Sequence, residues 1–415
     1  MQLNQKETDM LYGKEGYPAK KSMEILVQLG EVYGADELLS VNNVHMPGSS
    51  TVVTGKAGLE FVEEMAANRA YFKVTTTLNP AAVDLKQWKS LGFDEKDYQL
   101  QHRLTSAYRQ MGAIPLHTCT PYQCGFFPLK NQHVAWGESS AIILANSLFG
   151  AKTNREGGPS ALASAITGKT PNYGYHLESQ RKATVEVKVK KKMENVSDFG
   201  AMGYYIGSLC QERIPVFTGI PFALNIEQYK TLGAALASSG SIAVFHVLGQ
   251  TPLGNSVKEY LGYLEPEEVI EFGDAEKEEA FLSLTSVEDK TVEMVALGCP
   301  HASLLEIKEV AEYLESQKSK CKADLWVMTS FTVKQTADYL GYTNTIEKSG
   351  GRLVSDTCLV LGALGPVIKK RGYHNIATNS AKLAHYVPGQ WSLGCYFGSL
   401  TKCLKTALSG KWESE

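Results

Sequence analysis

The chain has 415 residues, with 41 Lys and Arg against 44 Asp and Glu, so its formal net charge is −3. That balance offers no basic footprint for nucleic acid or for a membrane surface. The first residues, MQLNQKETDM, lack the apolar stretch of a secretory signal, and the longest apolar runs, Ala141–Leu144 and Ile242–Leu248, are far too short to cross a bilayer. The sequence therefore reads as a soluble cytoplasmic protein, long enough for about two to four domains. Its eight cysteines then sit in a reducing compartment, where metal or catalytic roles for thiols gain weight over disulfides.

In chain order, a charged helical region covers Lys6–Gly34, with Ile25, Leu26 and Leu29 at roughly helical spacing. A helix over Gly58–Ala67 leads to a strand over Tyr71–Leu78. A polar helix over Asp94–Gln110 is closed by Gly112. Ala113–Thr118 reads as a short strand running into Cys119. The apolar helix Ser139–Phe149 stops at Gly150, and after the loop Thr153–Gly158 the next helix starts at Pro159. Thr184–Lys190 alternates as a half-buried strand would. The charged run Lys190–Glu194 marks a boundary.

Helices over Asp198–Gln211 and Ile226–Ala237 are followed by strands over Pro215–Thr218 and Ile242–Leu248, respectively, and the acidic Glu265–Glu279 reads as a solvated helical region and second boundary. Beyond it, strands over Val292–Leu297, Asp324–Thr329 and Arg352–Val354 alternate with helices over Leu304–Gln317 and Val333–Leu340. Two short helices follow between Asn379 and Trp412. Such alternation predicts an α/β architecture with mostly parallel sheets.

Three cysteines stand at predicted strand ends: Cys119 in HTCTPY, Cys299 in LGCPH and Cys358 in SDTC. In open α/β sheets, ligands bind at that edge. Their neighbours are Thr, Gly, Pro and Asp rather than apolar residues, which exposes sulfur and brings backbone N–H groups close. Three converging thiolates would suit an iron–sulfur cluster with one iron left open to substrate. Cys124 is a possible fourth ligand, although its spacing from Cys119 makes no C-x-x-C hook. Zinc is the alternative metal, without a paired C-x₂-C knuckle to support it. Cys210, Cys321, Cys395 and Cys403 read as core residues.

The segment from Gly137 to Pro171 is the richest in polar motifs. Asn154, Arg155, Glu156 and Gly157 lie on a loop ahead of a helix N-terminus, suited to a carboxylate or phosphate, or else simply a turn. ASAITGKT at Ala163–Thr170 imitates a phosphate-binding loop but follows a helix and runs into Pro171. GESSA at Gly137–Ala141 imitates a nucleophile elbow around Ser139 but ends in Ala141. His301 could donate to substrate or to a cluster, or act as a cap. Thr76 in TTTLN, and Asn379 with Ser380 in TNSAK, are polar loop residues that could bind an anion or merely cap helices. The sequon Asn195–Ser197 carries no meaning in a cytoplasmic chain.

Taken together, CTPY at Cys119, the block from GESSA through GAKTNREGGPSAL, LGCPH, SDTC and TNSAK…HYVPG resemble the aconitase X family, in particular its large, cluster-bearing subunit. The resemblance runs from the first helix to Trp412. It implies three aconitase-like α/β domains with mostly parallel sheets around a central cluster cleft, divided here near 1–195, 196–290 and 291–415. It also implies a small swivelling β-rich domain, separate or fused. With no such domain after HYVPG, the expectation is a heterodimer or higher heteromer whose small partner supplies a serine as general base.

The implied chemistry is loss of water from a hydroxy acid. 5-Phosphomevalonate is favoured by REGGPSALA and TTLNPA, and cis-3-hydroxyproline is the alternative. Cys119, Cys299 and Cys358 would hold the cluster, 4Fe–4S foremost, with 2Fe–2S and 3Fe–4S open. Asn154, Arg155, Glu156 and Gly157 would clamp the anionic substrate, with Ser139, Ser140 and His301 beside them. Two other classes remain open at this point: a serine hydrolase using Ser139 with His301 or His385, and a non-catalytic scaffold.

Overall fold

The architecture comes from a computed structural model that describes residues 1–413. Three sheets are wholly parallel and one two-stranded ribbon is antiparallel. In the first sheet, Asn43–Met46 lies between Thr75–Leu78 and Ala135–Trp136. The second runs His246–Val247, Pro215–Thr218, Val185–Val189, Glu268–Phe272. The third has five strands in the order Arg352–Ser355, Asp324–Thr329, Met294–Leu297, Asn375–Thr378, Gly394–Phe397. Parallel strands need crossover helices on their faces, which is why Met294–Leu297 is buried at every position and reads as an unbroken apolar run.

Several expectations are corrected. Lys6–Gly34 forms two helices, Gln5–Leu11 and Tyr17–Val32, because Gly13 and Gly16 take positive φ and Pro18 opens the second. The helix ending at Ala67 begins at Thr51 and bends at Gly55. Ala113–Thr118 is not a strand: His117 turns the chain with φ 43°, leaving one bridge from Ile114 to Thr77. Of Ile242–Leu248 only His246–Val247 pairs. Glu265–Glu279 holds a strand, Glu268–Phe272, and a helix, Asp274–Ser283. Buried Ile270 and Phe272 show the period of two that the surrounding glutamates mask. Since Val185–Val189 pairs in the second sheet, its residues group with that sheet rather than with the first.

One apolar core draws on all three units, with Ala82 and Val83 from the first, Ala201 and Ala235 from helices of the second, and Met294 and Trp326 from the third sheet. Backbone bonds stitch the first unit to the third: Ala81 N–H donates to Asp356 O at 2.7 Å, and Ala363 N–H to Ala82 O at 2.7 Å. The buried Asp84 carboxylate accepts from Ser355 N–H at 2.9 Å. Loops from distant parts of the chain are thereby fixed against one another.

Candidate active site

Strand order reverses in the first sheet between Asn43–Met46 and Ala135–Trp136, and in the third between Met294–Leu297 and Asn375–Thr378. At such a switch the following loops diverge and leave a crevice. Both crevices open on one cavity of about 280 Å³. Its walls come from Pro47–Ser50 and Gly137–Ser139 on one side, and from Cys299 and Lys382 on the other, with Cys119, Cys358 and Leu361 completing it. Two glycines permit the close approach. A Cβ on Gly137 would lie 2.1 Å from the Pro47 ring and 2.6 Å from Glu156 O. A Cβ on Gly298, which has φ +85°, would lie 2.1 Å from Met328 O.

Three thiols face this cavity. Cys299 follows its strand directly and Cys358 follows Arg352–Ser355. Cys119 arrives from the irregular segment beside Leu78, where Thr118 N–H donates to Leu78 O at 3.1 Å. Burial and the neighbouring Cys299 push the Cys358 thiol up to about 12. Burial, with Glu138 and Cys358, also raises the Cys119 thiol, against the opposing pull of Lys382 and the His301 N–H. Burial raises Cys299, opposed by Lys382 and by the Ser380 hydroxyl.

Three thiolates so placed repel one another and lack water. A cationic group among them would reverse the balance and hold them deprotonated. A lone zinc ion would require the sulfurs to close to about 2.3 Å from one point. Among the described residues no three His, Cys, Asp or Glu side chains are placed to hold one metal ion. Three cysteine sulfurs lining one cavity are a donor set that suits an iron–sulfur centre.

Beside the thiols lies a buried ion pair. Lys382 Nζ donates to Glu138 Oε1 at 2.8 Å, to Ser140 Oγ at 2.8 Å and to Ser139 Oγ at 3.2 Å. Burial opposes the ammonium, but Glu138 and the Cys299 and Cys119 sulfurs more than offset this, so its pKa stands above the usual lysine value. Glu138 is fixed in turn: its other oxygen accepts from Ala141 N–H at 2.9 Å, capping Ser139–Ser147. A permanent cation, a hydroxyl and three thiols therefore share one small crevice. That combination is chemically suited to a small anion.

Aconitase X first-, second- and third-domain family models match residues 1–179, 183–282 and 292–409. The chain belongs to the aconitase X family. It is 43% identical to the phosphomevalonate dehydratase large subunit of Methanothermobacter thermautotrophicus, over 95% of this chain and 96% of that protein. It is 32% identical to the cis-3-hydroxy-L-proline dehydratase of Hypocrea jecorina, over all of this chain but 70% of that protein. The crystal structure of Thermococcus kodakaraensis aconitase X in its holo-form superposes with a TM-score of 0.88 at 38% identity, covering 98% of this chain and 100% of that one.

In this aconitase X chain, Cys119, Cys299, Cys358 and Ser139 line the cavity. Ser140 stands behind it on Lys382. Ser380 caps Ala381–Trp391 and also reaches Cys299. The expected anion clamp lies elsewhere. Arg155 is exposed and donates to the Ser241 carbonyl, in a separate cleft of about 1010 Å³ that Asn154 also lines. Asn154 itself is used up in bonds to Tyr173 O and Tyr175 N–H. Glu156 is buried beside Thr170, and Gly157 caps the helix Gly158–Thr167. Thr76 bonds Val74 O, and Asn379 O accepts from Ser197.

Cys124 faces Ser330 at 3.3 Å in the third unit's core and does not line the cavity. The hydrolase pairing is not formed either. His301 spends both ring nitrogens on Thr118 and Thr357, and His385 packs on Tyr204 and Tyr386. Sequence reasoning missed Lys382 and Glu138, although TNSAK and GESSA contain them. A charged residue at a helix N-cap, like Glu138, or one position inside a helix start, like Lys382, looks like ordinary capping chemistry until its burial is known.

Proposed function

We propose that this chain is the large subunit of an iron–sulfur hydro-lyase that removes water from (R)-5-phosphomevalonate, giving an anhydromevalonate phosphate. The convergence of three thiols and a buried lysine on one crevice carries the reading. Similarity to a phosphomevalonate dehydratase large subunit at 43%, against 32% for the hydroxyproline enzyme, supports the substrate. Cys119, Cys299 and Cys358 would hold the cluster, 4Fe–4S foremost, with 2Fe–2S and 3Fe–4S open. When bound, it supplies Lewis acidity toward the oxygens of a hydroxy acid.

The chain's own residues do the rest. Lys382 directs its three N–H bonds at Glu138, Ser139 and Ser140, so it attracts an anionic substrate end through its field rather than by direct donation. Ser139 lines the wall, accepts from that ammonium and donates to Glu138 Oε1 at 3.3 Å, so its hydroxyl ties the ion pair to the cavity surface. Elimination also needs a base for the proton on the carbon next to the carboxylate. Glu138 is committed to Lys382 and to its helix cap, and is thus a poor candidate. That supports a base from a small partner subunit, as does the large-subunit name of the 43% identical relative. All eight cysteines are free, which supports a reducing, cytoplasmic setting. Among the described residues no helix is long and apolar enough to cross a membrane.

Anaerobic co-expression with the small subunit tests the reading, with phosphomevalonate and cis-3-hydroxyproline assayed side by side and iron quantified. Dehydration of phosphomevalonate by iron-loaded protein is expected. Turnover of hydroxyproline alone would reverse the substrate, and full activity without iron would remove the cluster from the mechanism.

A further inference from the structure

His301 lies outside the cavity wall, fully buried, yet it touches all three cysteine segments. Its backbone N–H donates to Cys119 Sγ at 3.2 Å. Its ring Nδ1 meets Thr118 Oγ1 at 3.0 Å, one residue before Cys119, and its Nε2 meets Thr357 O at 3.0 Å, one residue before Cys358. Cys299 lies two residues before it in the same loop. A carbonyl can only accept, so Nε2 carries the proton and Nδ1 accepts from the Thr118 hydroxyl. Thr118 Oγ1 in turn accepts from Thr120 N–H at 3.1 Å, so every group in this chain of bonds has one consistent role.

The strut is anchored from below as well. Lys230, buried in the helix Ile226–Gly240, donates to His301 O at 3.2 Å and pairs with Glu306. One turn earlier Glu227 accepts from Ser303 Oγ at 2.9 Å. The second unit, which contributes none of the three thiols, thus holds the loop that carries Cys299 and His301.

We infer that His301 is a positioning residue that spaces the three thiols for their inorganic centre, and that it makes no contact with substrate. The inference rests on the iron–sulfur reading above. Groups that orient ligands from behind typically change metal affinity by about 10- to 100-fold when lost. His301→Gln keeps reach toward Thr357 O and loses the Thr118 bond. Thr118→Val removes the same bond, together with the one from Thr120 N–H, without altering the histidine, and Thr118→Ser restores both.

The holo-heteromer is reconstituted anaerobically for wild type and the three variants. Iron and sulfide per chain, the visible and EPR spectra, and the rate of bleaching by a chelator are then read. His301→Gln and Thr118→Val are expected to bleach about 10-fold faster or more with altered spectra. Their KM should stay at the wild-type value, and Thr118→Ser should behave as wild type. Wild type that binds iron, with His301→Gln and Thr118→Val equally slow to bleach and spectrally unchanged, overturns the inference and leaves the cluster standing. A raised KM at normal iron content would also overturn it, by making His301 a substrate contact. Wild type that takes up no iron overturns both readings together. If His301→Gln does not fold, the Thr118→Val and Thr118→Ser pair decides alone.

Discussion

Two cavities in this molecule differ in a way that volume misrepresents. The larger, about 1010 Å³, is an open cleft whose charged groups, Arg155, Lys182, Arg213 and Glu212 among them, reach water or neighbouring carbonyls and carboxylates. The smaller, about 280 Å³, is lined by three thiols and by a Lys382–Glu138 pair that is more than nine-tenths buried. An exposed charge is solvated at little cost, whereas a buried one persists only because specific partners hold it. The smaller site is therefore the one whose chemistry depends on each side chain.

The sharpest way to break that contrast is at sulfur. Cys299→Ser is expected to remove bound iron and dehydration together, measured by iron analysis and turnover of the same preparation. Loss of one without the other would separate the thiols from catalysis.

Next in size is the ion pair. Lys382→Met leaves Glu138 as an uncompensated buried carboxylate, a loss of about 3–5 kcal/mol in stability by analogy with other broken buried pairs. Glu138→Gln in the same chain should restore much of that stability without restoring activity, because the field on the substrate is still gone. A double-mutant cycle by chemical denaturation, with kcat/KM measured on each variant, checks both halves. Equal activity in the double variant and wild type would remove Lys382 from the site.

Much of this was legible beforehand. Cys119, Cys299 and Cys358 stood out because their Gly, Pro, Thr and Asp neighbours contradict a packing role, and the helices over 304–317 and 226–237 because period and caps agree. What was not legible depended on tertiary burial. Arg155 resembled an anion clamp because a guanidinium before a helix start is the usual recipe, but its side chain turns to Ser241. His301 resembled a substrate donor, yet its ring bonds bind loops together. Glu268–Phe272 was hidden because edge strands keep only one apolar face.

Acid should act on several buried histidines, with His246 and His176 away from the thiol cavity and His45, His117 and His301 beside it. Burial holds His246 neutral, with its pKa lowered from 6.5 to about 4, and likewise lowers His176 to about 3. The unfolded chain takes up these protons near pH 6.5 while the fold refuses them. The resulting stability is fully present above that pH and is lost as pH falls toward the folded values. By the time pH reaches the folded values the loss is about 3 kcal/mol for His246 and about 5 kcal/mol for His176. Denaturation midpoints from pH 7 to pH 5 should fall, and His246→Gln should flatten that slope. An unchanged slope would mean that His246 is not held neutral by the fold.

The smallest effect is the most discriminating. Arg155→Ala removes a guanidinium that is exposed and bonded to one carbonyl, so stability should change by no more than about 0.5 kcal/mol and kcat/KM by less than about twofold. Measured beside Lys382→Met on the same substrate, it asks which cation holds the anion. If the buried cation dominates, Arg155→Ala is silent, and raising salt changes KM little because a buried charge is poorly screened. A large KM increase for Arg155→Ala, growing at low salt, would instead place substrate capture in the open cleft. The enclosed pair would then be left as a structural feature of the thiol cavity.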